Sequence, residues 1–275
     1  MPAEHENPGP VTGFARAVSE IVDKVSLYQD ALQPGAREVG KAGQTLMRAV
    51  NACLMPLEGL VWGFEQVRDF VQERVARKLE HVPVADIQSP KASIAVPAIA
   101  ALRYTGAETE LAELFANLLA TSMVKGSAHQ AHPGFVEVIK NLCSDEARIL
   151  KQLHRSRYRL LDVWSVQPDG RRTLVAKRAS MVAHDGHCEQ PALVSTYIDN
   201  LCRLSLVEIG DDDTNCRHAL PILERYAKVD PSLRRLLFDE SDEHDIHTSL
   251  LFLSDFGELF VSACVIDQSA AREPS

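Results

Sequence analysis

Residues 105–126, T-G-A-E-T-E-L-A-E-L-F-A-N-L-L-A-T-S-M-V-K-G, and residues 132–142, H-P-G-F-V-E-V-I-K-N-L, decide the fold. Leu111, Leu114, Phe115, Leu118 and Leu119 recur at the spacing that places all five on one helical face. Thr105 with Glu108 reads as a capping box, and Glu110 and Glu113 complement the positive end of the helix dipole. Lys125 and Gly126 supply the stop. Pro133 suits a first helical position, and Phe135, Val138, Ile139 and Leu142 form the next apolar stripe. Two helices joined by a polar loop cannot leave those faces in water, so the flanking chain is expected to pack around them.

Working toward the N-terminus, Ile94, Ile99 and Leu102 mark a helix containing Pro97, with Ser89 as N-cap and Pro90 at its first position. Upstream lie three apolar seams. The first runs Phe14, Val18, Ile21, Val25, Tyr28 and Leu32. The second runs Val39, Gly43, Leu46, Val50, Cys53 and Leu57, with Pro56 expected to end or kink it. The third runs Leu60, Phe64, Val67, Val71, Val75 and Leu79. The stretch around Trp62 (L-M-P-L-E-G-L-V-W-G-F, 54–64) is apolar enough to lie on a membrane surface or against a second copy.

Working toward the C-terminus, Ser144-Asp145-Glu146 starts a further helix, and the texture changes near residue 157. Two β-rich runs flank Pro168-Asp169-Gly170, a hairpin signal with a mechanism. A helix follows from Pro191 to Leu204, then a short strand at Leu206, Val207 and Ile209. Helical material returns from Pro221 to Phe238, Asp239 to Asp245 reads as a polar loop, and Leu250 to Leu253 as a strand. Ser254 caps a last helix. The reading is a mainly α protein with a small β component: a disordered tail over 1–10, a helical bundle over 11–143, a winged-helix-like α+β module over 144–267, and a second tail over 268–275.

Composition narrows the function classes. The 275-residue chain is 45% hydrophobic and 24% charged, ordinary for a soluble globular protein. Its formal net charge of −9 argues against a protein that coats nucleic acid over its whole surface. Six scattered cysteines suit free thiols in a reducing cytoplasm, with no secretion signal and no transmembrane stretch read. His184, His187, Cys188, Cys202, Cys216 and His218 are ligand types for zinc, but no Cys-x-x-Cys spacing joins them. His129 and His132 have no carboxylate beside them at base-and-orienter spacing. Phosphate-binding and dinucleotide fingerprints are absent, and no cofactor or metal is called for. Basic charge gathers in Lys151, Arg155, Arg157, Arg159, Arg171, Arg172, Lys177 and Arg178. It could meet an external anion or pair with the acidic stretches at 208–213 and 239–245. The helix at 191–204 carries only Arg203 as a strong base, which is poor equipment for reading a major groove.

The residues then resemble a known family. Gly40 through Leu46, Met55-Pro56-Leu57, Trp62-Gly63, Ile87 with Pro90, Ile94-Ala95, Ala101-Leu102, Tyr104-Thr105 and Leu114 through Ala120 carry part of the likeness. His132-Pro133, Phe135 through Lys140, Asp145-Glu146-Ala147, Asn200-Leu201, Arg203-Leu204 and Leu253-Ser254 with Phe256-Gly257 carry the rest. From about residue 36 to 266 the sequence is similar to the bacterial abortive-infection alpha family; Ser205 departs from it where Gly is expected, and Ser254 where Thr is. The resemblance implies a role in abortive infection, in which a bacterial cell blocks phage propagation, and it offers no catalytic residues. The expectation is a cytoplasmic, non-enzymatic anti-phage protein, with possible attachment to the inner membrane. It would act through a protein partner, self-association or membrane contact, with Arg155, Arg157, Arg159, Arg171, Arg172 and Trp62 as interaction candidates. The alternatives are a winged-helix-like nucleic-acid-binding regulator and a metal-binding enzyme.

Overall fold

The computed structural model describes residues 42–58, 65–105, 109–212, 224, 225, 228 and 243–267. The chain divides into two compact units, residues 1–137 with 267–275, and residues 138–266. The first seam (14–32) and Trp62 lie outside the described residues, as does most of 221–238.

The first unit is helical: α1 (Ala42–Glu58), α2 (Glu65–Lys78), α3 (Ala92–Thr105) and α4 (Thr109–Met123), with α5 (Phe135–Lys140) beginning in it. The α4 stripe is its core. Leu111, Leu114, Phe115, Leu118 and Leu119 are all buried with Ser122 on the same face, and so are Asn117, Ala116 and Ala120 on the other faces. A helix buried nearly all round needs neighbours on every side. Val71, Val75 and Leu79 of the third seam and Ile94, Ile99 and Leu102 of α3 are buried in the same unit. The linker before α3 is pinned to the end of α4: Ile87 bridges Val124, Gln88 N donates to Met123 O at 2.8 Å and Lys125 N to Asp86 O at 2.9 Å.

Two local expectations are corrected here. Thr105 closes α3, with α4 starting at Thr109, so it does not cap α4; Glu108 lies outside the described residues. The N-cap of α3 is Lys91, whose carbonyl accepts from Ile94 N and Ala95 N, and Ser89-Pro90 belong to the extended approach. α1 includes Pro56 and is described to Glu58, with 59–64 outside the described residues.

An ionic cluster fastens this unit. Lys78, 5% exposed, lies 2.7 Å from Glu113 and 3.2 Å from Asp267, and Arg74 pairs with Glu113. Burial lowers the Lys78 pKa, and Asp267 opposes that shift.

The second unit carries α6 (Ser144–Leu153), β1 (Tyr158–Val166), β2 (Arg172–Ala179), the short α7 (Val182–Asp185), α8 (Val194–Arg203), β3 (Val207–Asp211), β4 (Glu243–Leu253) and α9 (Asp255–Phe260). Its four strands form an antiparallel sheet in the order β2-β1-β4-β3. The Pro168-Asp169-Gly170 turn is the expected hairpin: Gly170 takes φ +82°, Gly170 N donates to Gln167 O, and Gln167 N to Arg171 O. Ser254 caps α9 by accepting from Gly257 N at 2.9 Å. One expectation fails here: 243–245 is strand, not loop, because β4 extends along the whole of β1 from Tyr158↔Leu251 to Val166↔Glu243. Here Asp245 and His247 lie on an exposed face and His244 on a half-buried one, so polar side chains can sit in the strand without full burial.

α8 ends in a complete Schellman motif. Leu206 N donates to Leu201 O, Ser205 N to Cys202 O, and Leu201 and Leu206 are both fully buried. Ser205 holds the left-handed position, at φ +57°.

Candidate functional site

The densest polar cluster in the second unit is built on Asp145, in the first turn of α6. Its Oδ1 accepts from Arg148 at 2.8 Å and from Glu189 N at 2.8 Å; its Oδ2 accepts from Gln190 N at 2.9 Å and from the Tyr197 hydroxyl at 2.9 Å. A carboxylate has about four lone-pair sites, so none is left for a substrate. Burial works to raise the Asp145 pKa, but the amides of Gln190 and Glu189, the Tyr197 hydroxyl and Arg148 outweigh it, and the net shift is downward. The same contacts act oppositely on the neighbours. Tyr197 is raised by burial and by its bond to Asp145, and the Cys188 thiol is pushed up to about 12 by burial and the Asp145 charge. A carboxylate held ionised, a phenol held protonated and a thiol held protonated form a poor acid–base or nucleophilic set at neutral pH.

Glu146 continues the clasp. It accepts from Cys143 N at 2.8 Å, half of a capping box, and from Asn200 Nδ2 at 2.8 Å. Asn200 Nδ2 also donates to Asn141 O, and Asn200 Oδ1 accepts from Arg203 Nε and a terminal guanidinium nitrogen at 2.9 and 2.7 Å. Two motifs that lie 54 residues apart between Glu146 and Asn200 therefore meet as one network between α6 and α8. Sequence spacing gave no sign of the Glu189, Gln190 and Tyr197 contributions.

The basic cluster separates into two groups. Arg159 pairs with Asp212 at 2.7 Å, Arg171 with Asp169 at 2.6 Å, and Arg172 with Asp245 while lying over the Trp164 ring at 5.3 Å. Lys177 and Arg178 both pair with Asp199 of α8. Arg178 takes φ +53°, and its amide donates to Asp162 Oδ1 at 2.6 Å, so a bulge between β1 and β2 aims its guanidinium at α8. The other group is Lys151, Arg155 and Arg157. All three are exposed and have no carboxylate partner among the described residues. Arg157 lies over the Phe252 ring at 5.0 Å, and Glu208, opposite Phe252 in the β3–β4 ladder, forms no ion pair with it.

The remaining sequence candidates disperse. His132 Nδ1 accepts from Gly134 N at 3.0 Å and its ring packs on Phe135, a helix-entry role. Asp185 accepts from the Tyr158 hydroxyl at 3.3 Å and from Arg225 at 2.6 Å. Among the described residues no three His, Cys, Asp or Glu side chains are placed to hold a metal ion; Cys216 and His218 lie outside them. Among the described residues no helix is long and apolar enough to cross a membrane.

Fold and site together define a mainly helical protein with a small four-stranded antiparallel sheet, its central polar network bonded to itself and a short cationic segment left open. The chain belongs to the abortive infection alpha family, which matches residues 63–264. None of the curated proteins matches it. Among solved structures it is similar to an uncharacterized protein from the hydrocarbon-degrading marine bacterium Alcanivorax borkumensis SK2, at 18% identity and a TM-score of 0.31, over 50% of this chain and 94% of that one.

Proposed function

We propose that this chain is a bacterial anti-phage protein of the abortive-infection type that works by contact with other macromolecules, in the cytoplasm or at the inner-membrane surface, and not by catalysis. Membership of the abortive infection alpha family supports the biological role. The observation that carries the contact reading is the division of the cations. Five of the eight are spent on carboxylates of the same unit, while Lys151, Arg155 and Arg157 are held together at the end of α6 and the start of β1 with no such partner among the described residues. The filled lone pairs of Asp145 support the non-catalytic part. The test is a phage challenge of cells carrying the wild-type gene, K151E/R155E/R157E, or R171E/R172E. Protection is lost in the first variant and kept in the second; equal protection by all three refutes the assignment of this surface.

A second reading rests on topology. The order α6-β1-α7-α8-β3-β4, with β4 between β1 and β3 and β2 as an outer strand, supports a winged-helix-like reading of this unit. As a nucleic-acid regulator it would read with α8, yet Asp199 is paired to Lys177 and Arg178, and Asn200 is bonded to Glu146, Asn141 and Arg203. Those bonds favour a module of this shape that contacts protein. Salt-dependent binding of a DNA duplex, abolished by reversing Arg203, would reinstate the regulator.

A further inference from the structure

The sheet ends in two edges of different character. The β2 edge, residues 171–179, carries Arg171, Arg172, Lys177 and Arg178 and no carboxylate, so two copies meeting there would set like charges together. The β3 edge (V-E-I-G-D, 207–211) has Ile209 at its middle, 38% exposed, flanked by the exposed Glu208 and Asp211. It holds no lysine, arginine or proline to guard it. Among the described residues no further strand lies beside it.

The ladder fixes which backbone groups of β3 face outward. Ser254 N donates to Leu206 O at 3.1 Å, and the pairs from Val207↔Leu253 to Asp211↔Ser249 follow without a bulge. Bonded and unbonded pairs alternate along an antiparallel ladder, so Glu208 and Gly210 bond to β4. Val207, Ile209 and Asp211 turn their N–H and C=O groups away from it. Laid antiparallel against its own copy about a two-fold axis at Ile209, the strand sets Ile209 against Ile209, Val207 against Asp211 and Glu208 against Gly210. The three outward residues of each copy then face the three of the other, donor to acceptor, and no two like charges stand opposite.

The side chains agree with this register. A Cβ on Gly210 would lie 3.0 Å from Phe252 Cε1, so the Phe252 ring leans over Gly210 and away from Glu208, its direct partner in the ladder. The Arg157 guanidinium follows the ring, 5.0 Å from its centroid, and has no carboxylate partner among the described residues. In the two-fold seam the residue opposite Gly210 is Glu208 of the second copy, which meets Arg157 beyond the ring. On the other face the two Ile209 side chains meet and extend the buried stripe of Val207, Leu251 and Leu253.

We propose that two copies of this chain pair through their β3 edges, joining two four-stranded sheets into one continuous sheet, with a Glu208–Arg157 ion pair on each side of the axis. The contact is isologous and closes on itself, so it stops at the dimer. It gives the contact reading above a partner at Arg157, and at that residue it rests on that reading.

Sedimentation velocity of the full chain over a concentration series tests it. The wild type passes from monomer to dimer and no further. Ile209→Pro removes an amide that bonds only across the seam, a substitution edge strands accept, and the dimer is lost. Ile209→Lys breaks it by charge and serves if circular dichroism shows the proline variant unfolded. Glu208→Arg and Arg157→Glu each weaken dimerisation about tenfold at about 0.1 M salt, and E208R/R157E regains it because the exchanged charges match again. Hydrogen exchange of residues 207–211 slows in the dimer and not in the Ile209 variants. A wild type that stays monomeric overturns the proposal, as do species larger than a dimer, a dimer indifferent to both Ile209 variants, or a charge exchange that restores nothing. None of these readouts uses phage, so their failure removes this inference alone and leaves the K151E/R155E/R157E challenge to decide the reading beneath it.

Discussion

Replacing Asp145 by Ala tests whether the α6–α8 network is a structural clasp. The substitution removes four acceptor interactions at once. The Tyr197 hydroxyl, on a buried residue, loses its acceptor at a cost of about 2 kcal/mol. The amides of Glu189 and Gln190 are part-buried and recover some hydration, about 1 kcal/mol each. Arg148, with a fifth of its side chain exposed, turns to solvent or to Glu189, for about 0.5 kcal/mol. The total is about 4.5 kcal/mol, large for a single substitution. The assay is urea unfolding followed by Trp164 fluorescence in a W62F background, since the chain has two tryptophans and Trp164 lies in the second unit. With a slope of about 2 kcal/mol/M, the midpoint falls by about 2 M. Asp145→Asn keeps one oxygen and falls by about half as much. A midpoint shift below about 0.5 M in D145A would refute the reasoning. Unchanged stability with loss of phage protection would instead make Asp145 a functional group.

Three further outcomes follow from the same geometry. The Asp145 pKa is depressed in the folded chain, so its contribution is present above the ordinary carboxylate value of about 3.9 and is lost as pH falls through the lower, folded value. Acid unfolding of the second unit below about pH 4 should accordingly flatten in Asp145→Asn. Ser205→Gly should stabilise the same unit by about 0.7 kcal/mol, read as a higher urea midpoint, because Ser205 occupies the left-handed position of a Schellman motif; no gain would show that its strain is relieved elsewhere. Gly257→Ala should cost about 3 kcal/mol or prevent folding, since a Cβ there would overlap the Leu206 carbonyl oxygen, which already accepts from Ser254 N. A soluble G257A protein with wild-type thermal unfolding would contradict that packing.

By itself the sequence determined what depends on near neighbours. The α4 stripe needed only the 3.6-residue period, the Pro168-Asp169-Gly170 hairpin only a glycine free to take positive φ, and the α9 cap only a serine ahead of its helix. Even Ser205, singled out as an unexpected residue where glycine is usual, marked a real backbone requirement. Expectations failed where a local signal had rivals: Ser89-Pro90 against Lys91 for one helix start, and a polar run at 243–245 that reads as loop until β1 offers it a ladder. Tertiary structure alone decided which charges were spent. Arg172 meets Asp245 across 73 residues and Asp145 receives Gln190 across 45, distances over which no periodicity carries information. Charge in a sequence states only what could attract; the fold sets which opposite charges stand within a few ångströms, and Coulomb attraction screened by water acts only there. That is why, of the eight basic residues in the 151–178 cluster, three keep no carboxylate partner among the described residues.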